Sequence, residues 1–438
     1  MKIDEIESKV LERVKPDEDE RKKVNEVSEE LLEAVDRELE GDYKPEVVGS
    51  VSKGTYLKDP DIDIFVRFPL SVSRKEMEKK IIKAGQIILD ESKERYAEHP
   101  YIYGMYKSFE VDIVPCYDMD DISQMKSAVD RTPFHTEYIK ERLGEAQKEE
   151  AMLLKAYLEG IGAYGAKAEV WGFSGYLCEL LISKYGSFKK TIEEVSDWRP
   201  GHTIKMVESD KDFDDPLVVI DPVDPDRNVA APVSKEKFSL FVLSSKRFLN
   251  DPELSYFFPN DIEPLEKSRL MEKVQRRGCK LLALRFPVPD VVEDNLYPQV
   301  QKCLRRIVHQ LSHKDFETIH SDYYLGEKIL LIFEFESGTL TNIERHRGPP
   351  VWIDNSEDFI DKYGKEVYLD GDRLWVDRSR EYTEIKKAMI DVMESIDLGS
   401  DINPYLPEKA IFLTEEDLVE EEQRDLTEFF DRRFPWER

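Results

Sequence analysis

The run D-I-D-I-F-V that begins at Asp61 alternates carboxylates with aliphatic side chains. On a strand, a period of two sends Asp61 and Asp63 to one face and Ile62 and Ile64 to the other. Taken alone, a D-x-D is more often a surface turn or a capping pair. Here the flanking Phe65 and Val66 predict a buried strand over Asp61–Phe68, where neighbouring carboxylates raise each other's pKa unless a cation intervenes. A third carboxylate, Asp112, alternates with Val111 and Ile113 in F-E-V-D-I-V-P, a second apolar strand expected over Phe109–Val114 and stopped by Pro115. If the two strands are neighbours, three carboxylates meet. Hard oxygen ligands, few in number and open to phosphates, suit Mg²⁺ better than a closed calcium cage, and such a site serves in-line phosphoryl displacement.

Upstream of the first pair, Gly49-Ser50 follows a short β-rich stretch, Glu46–Val48, and precedes Lys53-Gly54-Thr55. A glycine there lets backbone N–H groups approach a phosphate, with Ser50 and Lys53 able to donate to its oxygens. The elements that must hold these groups are readable from periodicity. Val24, Val27, Leu31, Val35 and Leu39 form the stripe of an amphipathic helix over Arg21–Leu39, and a second long helix fits Arg74–Leu89. Helices then strands in this order predict an α+β sheet with helices on one face.

Beyond Arg131 the pattern turns helical, with Glu149–Leu158, Tyr176–Tyr185 and Lys235–Leu249 the clearest segments. From Pro252 strands and helices mix again: Leu281–Phe286, a helix over Tyr297–Leu311, a strand over Lys328–Glu336, and a hairpin in which Glu366–Leu369 and Arg373–Asp377 flank Asp370-Gly371. Leu413–Arg438 reads as a helix docked on the body. Three regions result: residues 1–145 catalytic, 146–251 helical, and 252–438 a C-terminal α+β region.

With 40% apolar and 36% charged residues the chain can bury several cores beneath a densely ionic surface. The charge of both signs suits ion-pair networks. No stretch approaches the ~18 apolar residues of a membrane span, so a cytoplasmic protein without a membrane partner is expected. Cys116, Cys178, Cys279 and Cys303 lie far apart and read as reduced and structural. His309 and His313 are spaced i, i+4, but no nearby Cys or Glu completes a zinc pattern. The formal charge of −29 opposes general nucleic-acid binding unless basic residues cluster locally. Arg276/Arg277, Arg305/Arg306 and Arg345/Arg347 are the candidate clusters, solvated helix and loop surface being the plain alternative.

The order strand, Gly-Ser, short helix, D-x-D strand and distant third Asp strand resembles the nucleotidyltransferase superfamily that includes poly(A) polymerases and DNA polymerase β. R-Y-A-E-H-P-Y from Arg95, V-D-I-V-P-C-Y from Val111, K-S-A-V-D-R-T-P-F-H from Lys126, G-F-S-G-Y-L-C-E-L-L-I from Gly172, V-D-P-D-R-N-V-A-A from Val223 and P-D-V-V-E-D-N-L-Y-P-Q from Pro289 narrow the likeness to the archaeal, class I CCA-adding enzymes. It covers most of the chain and thins after about Glu336, apart from R-G-P-P at Arg347.

The resemblance implies a nucleotidyltransferase palm of mixed sheet, a helical central domain and an α+β RNA-binding region. It implies addition of C, C and A to the 3′ end of tRNA from CTP and ATP. Asp61, Asp63 and Asp112 would hold Mg²⁺, and Gly49, Ser50 and Lys53 the triphosphate, with Lys53 standing where a relative carries Arg. Arg131, Thr132, His135, Lys155 and Tyr164 would complete the nucleotide pocket, although Lys155 on an apolar helix and Tyr164 in a Gly-rich turn also read as structure. Arg227 would read the base, against the alternative of a salt bridge to Asp224 or Asp226. Arg276, Arg277, Arg305 and Arg306 are the candidate tRNA contacts, and a homodimer is allowed for. The rival readings are a poly(A) polymerase, an oligoadenylate synthetase, and a catalytically silent RNA-binding protein on the same fold.

Overall fold

The computed structural model describes residues 2–41, 43–96 and 100–438, without the side chains of Tyr96 and Asp294. Ala97, Glu98 and His99 of the R-Y-A-E-H-P-Y motif therefore lie outside the described residues. The chain forms two compact units, Met1–Asp261 together with Arg433–Arg438, and Ile262–Arg432.

The first unit begins with helices α1 (Ile3–Val14) and α2 (Glu18–Glu38), strand β1 (Lys44–Val47) and the short helix α3 (Gly49–Lys53). Asp17 caps α2 by accepting from the Glu20 N–H while Glu20 reaches back to the Asp17 N–H, satisfying two orphan donors of the first turn. Strand β2 (Ile62–Phe68), helix α4 (Arg74–Ile88) and strands β3 (Asp90–Tyr96), β4 (Pro100–Tyr106) and β5 (Phe109–Tyr117) complete a mixed sheet in the order β1-β2-β5-β4-β3. Strands β2 and β5 are parallel, and the other pairings are antiparallel. Ile62, Ile64, Val66 and Phe68 on one face of β2 share a core with Val27 and Leu31 of α2 and Met77 and Ile81 of α4, so the helices cover the face opposite Asp63.

Two expectations need correction here. Asp61 lies just ahead of β2 rather than within it. Pro115 does not stop β5, which runs on to Tyr117. Strand β4 reaches only to Ile113, so Pro115 has a single neighbouring strand and its missing N–H breaks no second ladder.

The same unit continues with α5 (Thr132–Arg142), α6 (Glu145–Gly160), α7 (Gly175–Tyr185), α8 (Phe188–Ser196), the parallel pair β6 (His202–Lys205) and β7 (Leu217–Ile220), and α9 (Lys235–Asn250). Its core centres on Tyr157, fully buried and ringed by Phe188, Phe248, Tyr256 and Phe257 at centroid distances of 5.5, 5.4, 6.1 and 5.3 Å.

The second unit holds α10 (Lys267–Arg277), β8 (Lys280–Pro287), α11 (Glu293–Ser312), β9 (Thr318–Leu325), β10 (Lys328–Phe335), β11 (Ile343–Pro350), α12 (Asn355–Tyr363), β12 (Val367–Asp370), β13 (Arg373–Ser379), α13 (Ile385–Ser395), β14 (Ile411–Leu413), α14 (Glu415–Glu421) and α15 (Gln423–Phe430). Its sheets run β14-β8-β10-β9 and β11-β13-β12. The expected hairpin forms one residue later: Asp370 pairs with Arg373, and Gly371-Asp372 make the turn with Gly371 at φ 64°. Glycine at the first turn position is the type II′ preference. The expected single C-terminal helix is instead α14 and α15, whose Leu418, Val419, Leu426 and Phe429 pack with Leu270, Leu281 and Ile332.

Gly160 closes α6 against the backbone of the turn that follows α9, where an added Cβ would lie 2.2 Å from the Tyr256 carbonyl oxygen. The obstacle is backbone, so it cannot rotate away. Gly160→Ala is expected to destabilise the protein by about 1–3 kcal/mol, the usual overpacking range, in urea unfolding. An unchanged midpoint would show that the turn yields freely.

Candidate active site

Register brings the central carboxylates together. Asp63 stands opposite Asp112 across the parallel β2–β5 pair, on the face the helices leave open. Burial and the charges of Asp112 and Asp61 raise the Asp63 carboxyl to about 7, against the pull of Lys53. Burial likewise lifts Asp112 to about 6, where Arg95 opposes and Asp61 adds. Asp61 is also raised, by burial and then by Glu110, with Lys167 and Arg95 pulling the other way.

One oxygen of this set, Asp112 Oδ1, is buried without a hydrogen-bond partner. Among the described residues no three His, Cys, Asp or Glu side chains stand close enough to hold an ion unaided. The donors that are present nevertheless fit a hard divalent cation. They are carboxylate oxygens on one face, their mutual repulsion is only partly offset by Lys53, Arg95 and Lys167, and too few of them gather to close a cage without further oxygens from a substrate.

Gly49 explains how tightly the turn above them is built. Its φ is 67°, and a Cβ there would fall 2.1 Å from Asp63 Oδ2, so only glycine lets the backbone lie against the carboxylate. The Gly49 N–H donates to Thr136 Oγ1 at 3.3 Å, and Ser50 follows in the first turn of α3.

Lys53 ends α3 buried, and its Nζ donates to Glu179 Oε2 at 2.5 Å. Burial pushes its ammonium below the ordinary value, while Glu179 resists. Lys155 on α6 donates to Glu179 Oε1, the Thr55 carbonyl and Thr55 Oγ1, each at 3.0 Å. An ammonium has three N–H bonds, so the Lys155 donors are all engaged. Gly175, at the start of α7, leaves room beside them: its Cβ position lies 3.0 Å from the Tyr164 hydroxyl and 3.5 Å from Lys155 Nζ.

Glu179 on α7 is not singled out by the sequence reading. Burial would raise its carboxyl, but Lys155 and then Lys53 outweigh that and hold it at about 2. The available signal is a charged residue inside L-C-E-L-L-I, an apolar run in which an unpaired carboxylate could not be buried.

Asp221, just after β7, is a second residue that sequence reasoning misses. It is fully buried, and its Oδ2 accepts from Arg227 at 2.8 Å and lies 2.9 Å from His135 Nε2. Its Oδ1 accepts from the Tyr176 hydroxyl at 3.1 Å and the Val223 N–H at 3.0 Å. Burial is again outweighed, chiefly by His135, and the carboxyl stays at about 2. Arg227 thus pairs with Asp221, not with Asp224 or Asp226. Arg131, the residue before α5, takes Asp224 at 2.7 Å, and Lys211 takes Asp226 at 3.8 Å. Thr132 opens α5, its carbonyl accepting from Thr136 Oγ1 at 2.9 Å.

The four arginines considered for RNA divide evenly. Arg277 is committed to buried Glu334, which Arg432 also approaches at 3.2 Å, and Arg306 bonds the Asp397 carboxylate at 2.9 Å. Arg276 and Arg305 are exposed with no ion pair observed among the described residues. Arg305 lines a groove of about 380 Å³ with Lys302, Arg306 and His309. His309 and His313 meet edge to face with ring centroids 4.5 Å apart. The four cysteines are free thiols, and among the described residues no helix is long and apolar enough to cross a membrane.

Three family models match successive parts of the chain: a nucleotidyltransferase domain over residues 28–136, the second domain of tRNA nucleotidyltransferase over 149–258, and the C-terminal domain of CCA-adding enzyme over 277–414. CCA-adding enzyme of Methanosarcina barkeri is 40% identical, with 92% of each chain covered, and that of Methanosarcina mazei is 38% identical, with 91% of each covered. CCA-adding enzyme of Methanothermobacter thermautotrophicus is 36% identical over 98% of both chains. Full-length similarity of this degree, together with the paired carboxylates on a nucleotidyltransferase sheet, means that the chain belongs to the CCA-adding enzyme family.

Proposed function

We propose that this chain completes tRNA by adding C, C and A to its 3′ end from CTP and ATP, releasing pyrophosphate at each addition. The observation that carries the reading is the Asp63–Asp112 pair, both carboxyls raised on the open face of a nucleotidyltransferase sheet in a CCA-adding enzyme relative. Nucleotidyl transfer is assigned to residues 1–145, the helical side of the nucleotide pocket to 146–251, and tRNA binding to 252–438.

Asp61, Asp63 and Asp112 would hold a divalent cation, which we take to be Mg²⁺. When bound, it supplies charge neutralisation for the phosphates and acidifies the attacking 3′-hydroxyl. The rest falls to the chain's own groups. Ser50 offers donors to the triphosphate, the Gly49 N–H can do so by exchanging its bond to Thr136, and Lys53, with a single hydrogen bond observed on its ammonium among the described residues, has donors left for phosphate oxygens. Lys155 must exchange one of its three bonds to do the same. Tyr164 lies beside it. Arg131, Thr132 and His135 border the nucleotide, and Arg227 meets the base. No covalent enzyme intermediate is required.

Labelled CTP and ATP supplied with a tRNA lacking its terminal CCA test this. Addition of three nucleotides is expected. Long A tracts without C would favour a poly(A)-type polymerase, and tRNA binding without incorporation a silent RNA-binding protein. Asp112→Ala should slow C and A addition alike, by on the order of 10²- to 10⁴-fold, while tRNA still binds. Near-normal extension by that variant would remove Asp112 from the site.

For so acidic a chain, tRNA must be gripped by local charge acting over a Debye length of roughly 8 Å. Arg305→Glu is expected to weaken all tRNAs about equally and to lower the salt slope of binding by about 0.9 for each phosphate that the protein no longer neutralises, with turnover at saturating tRNA little changed. Filter binding across a salt series measures both, and an unmoved slope would make Arg305 plain surface.

Glu179 also makes the fold acid-sensitive. Its carboxyl is held at about 2 against an unperturbed 4.5, so the stabilisation is complete above the unfolded value and is lost as pH falls through that window. Glu179→Gln leaves two ammoniums facing each other in the interior and should cost about 3–5 kcal/mol at neutral pH. It should also flatten the loss of stability between those two pH values. Urea melts at several pH values read both effects, and parallel pH profiles for the two proteins would contradict this role.

A further inference from the structure

Asp221 does more than pair with Arg227. Its Oδ2 lies within hydrogen-bond distance of both Arg227 Nη1, at 2.8 Å, and His135 Nε2, at 2.9 Å. Its other oxygen is filled by the Tyr176 hydroxyl and the Val223 N–H. An ionised carboxylate only accepts, so His135 Nε2 must carry the hydrogen. That fixes the tautomer. In a neutral ring Nδ1 is then a bare acceptor, and no hydrogen bond to it is observed among the described residues. The ring itself is held by stacking on Tyr176, with centroids 4.0 Å apart and planes 19° from parallel. Arg227 retains further N–H donors, and its side chain is 31% exposed against 0% for Asp221.

We infer that Asp221 is a positioning residue for base selection: by fixing the His135 tautomer and tethering Arg227 beside it, it presents one acceptor and one donor together to the incoming base. This rests on the assignment of the nucleotide site to His135 and Arg227. Cytosine and adenine each offer an exocyclic amino donor next to a ring-nitrogen acceptor. Uracil and guanine offer a carbonyl acceptor next to a ring N–H. An imidazole acceptor beside a guanidinium donor matches the first pair at both positions and opposes the second at both, so one fixed site accepts two bases of different size and rejects the other two. The rejection is strong because a mismatched base leaves partly buried donors and acceptors unpaired.

The balance of groups around His135 favours a neutral ring. The charges facing it are Asp221, Arg227 and Lys53, and its ring is mostly buried on α5 against Tyr176 of α7. Burial, Arg227 and Lys53 all disfavour a second proton, and only Asp221 favours it.

The test uses the full chain in two measurements. In protein labelled with ¹⁵N-histidine, the His135 resonances, assigned by their loss in His135→Gln, are expected to report a neutral ring protonated on Nε2. The kcat/KM ratios CTP:UTP and ATP:GTP, measured on tRNAs ending at the appropriate position, should fall by about 10- to 100-fold in Asp221→Asn. A merely structural loss would instead scale all four triphosphates equally. If Asp221→Asn fails to fold, the tautomer in the unaltered chain decides. A His135 ring protonated on Nδ1 or on both nitrogens, or ratios unmoved in a folded Asp221→Asn, would overturn the inference and leave CCA addition standing. Failure of the unaltered chain to incorporate C or A would overturn the functional reading itself.

Discussion

Two carboxylates opposite each other on neighbouring parallel strands repel, and this protein relieves that repulsion only in part between Asp63 and Asp112. Elsewhere in the same unit it does the reverse. Glu179 is buried with two lysines and a threonine, Asp221 with an arginine, a histidine, a tyrosine and a backbone N–H. The contrast is energetic. Carboxyls at about 7 and about 6 are poised for a positive charge from outside, whereas carboxyls at about 2 have already received theirs.

That division explains why the cationic side of the pocket needs acids at all. Lys53 and Lys155 converge in the interior, where two ammoniums facing each other would shed protons or drive the site apart. Glu179 binds both through separate oxygens and so keeps them close. Lys53 keeps donors beyond the one that Glu179 takes, whereas Lys155 spends its three on Glu179 and Thr55 and reaches a phosphate only by exchange. The same logic, with a guanidinium and an imidazole in place of ammoniums, operates around Asp221.

Much of this is legible in the residues and some of it is not, for a consistent physical reason. The D-x-D strand, the third Asp and the stripe of α2 are period signals, and period survives in one dimension. Their register follows once the strands are known to be neighbours, since Asp63 and Asp112 occupy equivalent alternations. Asp61 falls outside the strand because boundaries depend on hydrogen bonds that periodicity does not report. Pro115 looks like a terminator in sequence, yet whether a proline breaks a ladder depends on how many strands flank it. Glu179 and Asp221 are harder still. Glu179 meets Lys53 across 126 residues and Lys155 across 24, and Asp221 meets His135 across 86. Only the cost of burying an acid in L-C-E-L-L-I hints that partners must exist. Arg277 and Arg306 look free in sequence for the mirror-image reason, since their acidic partners Glu334 and Asp397 come from distant segments.

The acidity of the chain then ceases to conflict with an RNA substrate. A charge of −29 is a sum, whereas phosphates sense a potential that decays within about 8 Å in physiological salt. Many of the arginines and lysines are consumed by ion pairs inside each unit, as at Arg277, Arg285 and Arg380. Those pairs hold elements together and contribute little field beyond their own surface. What remains for RNA are the cations for which no acidic partner is observed among the described residues, such as Arg305 in its groove, so affinity for phosphate depends on where those cations cluster. A backbone grip built that way carries no sequence preference, which leaves discrimination to the protein groups that face the incoming base. The groups proposed for that task are His135 and Arg227, held by a carboxylate that solvent does not reach.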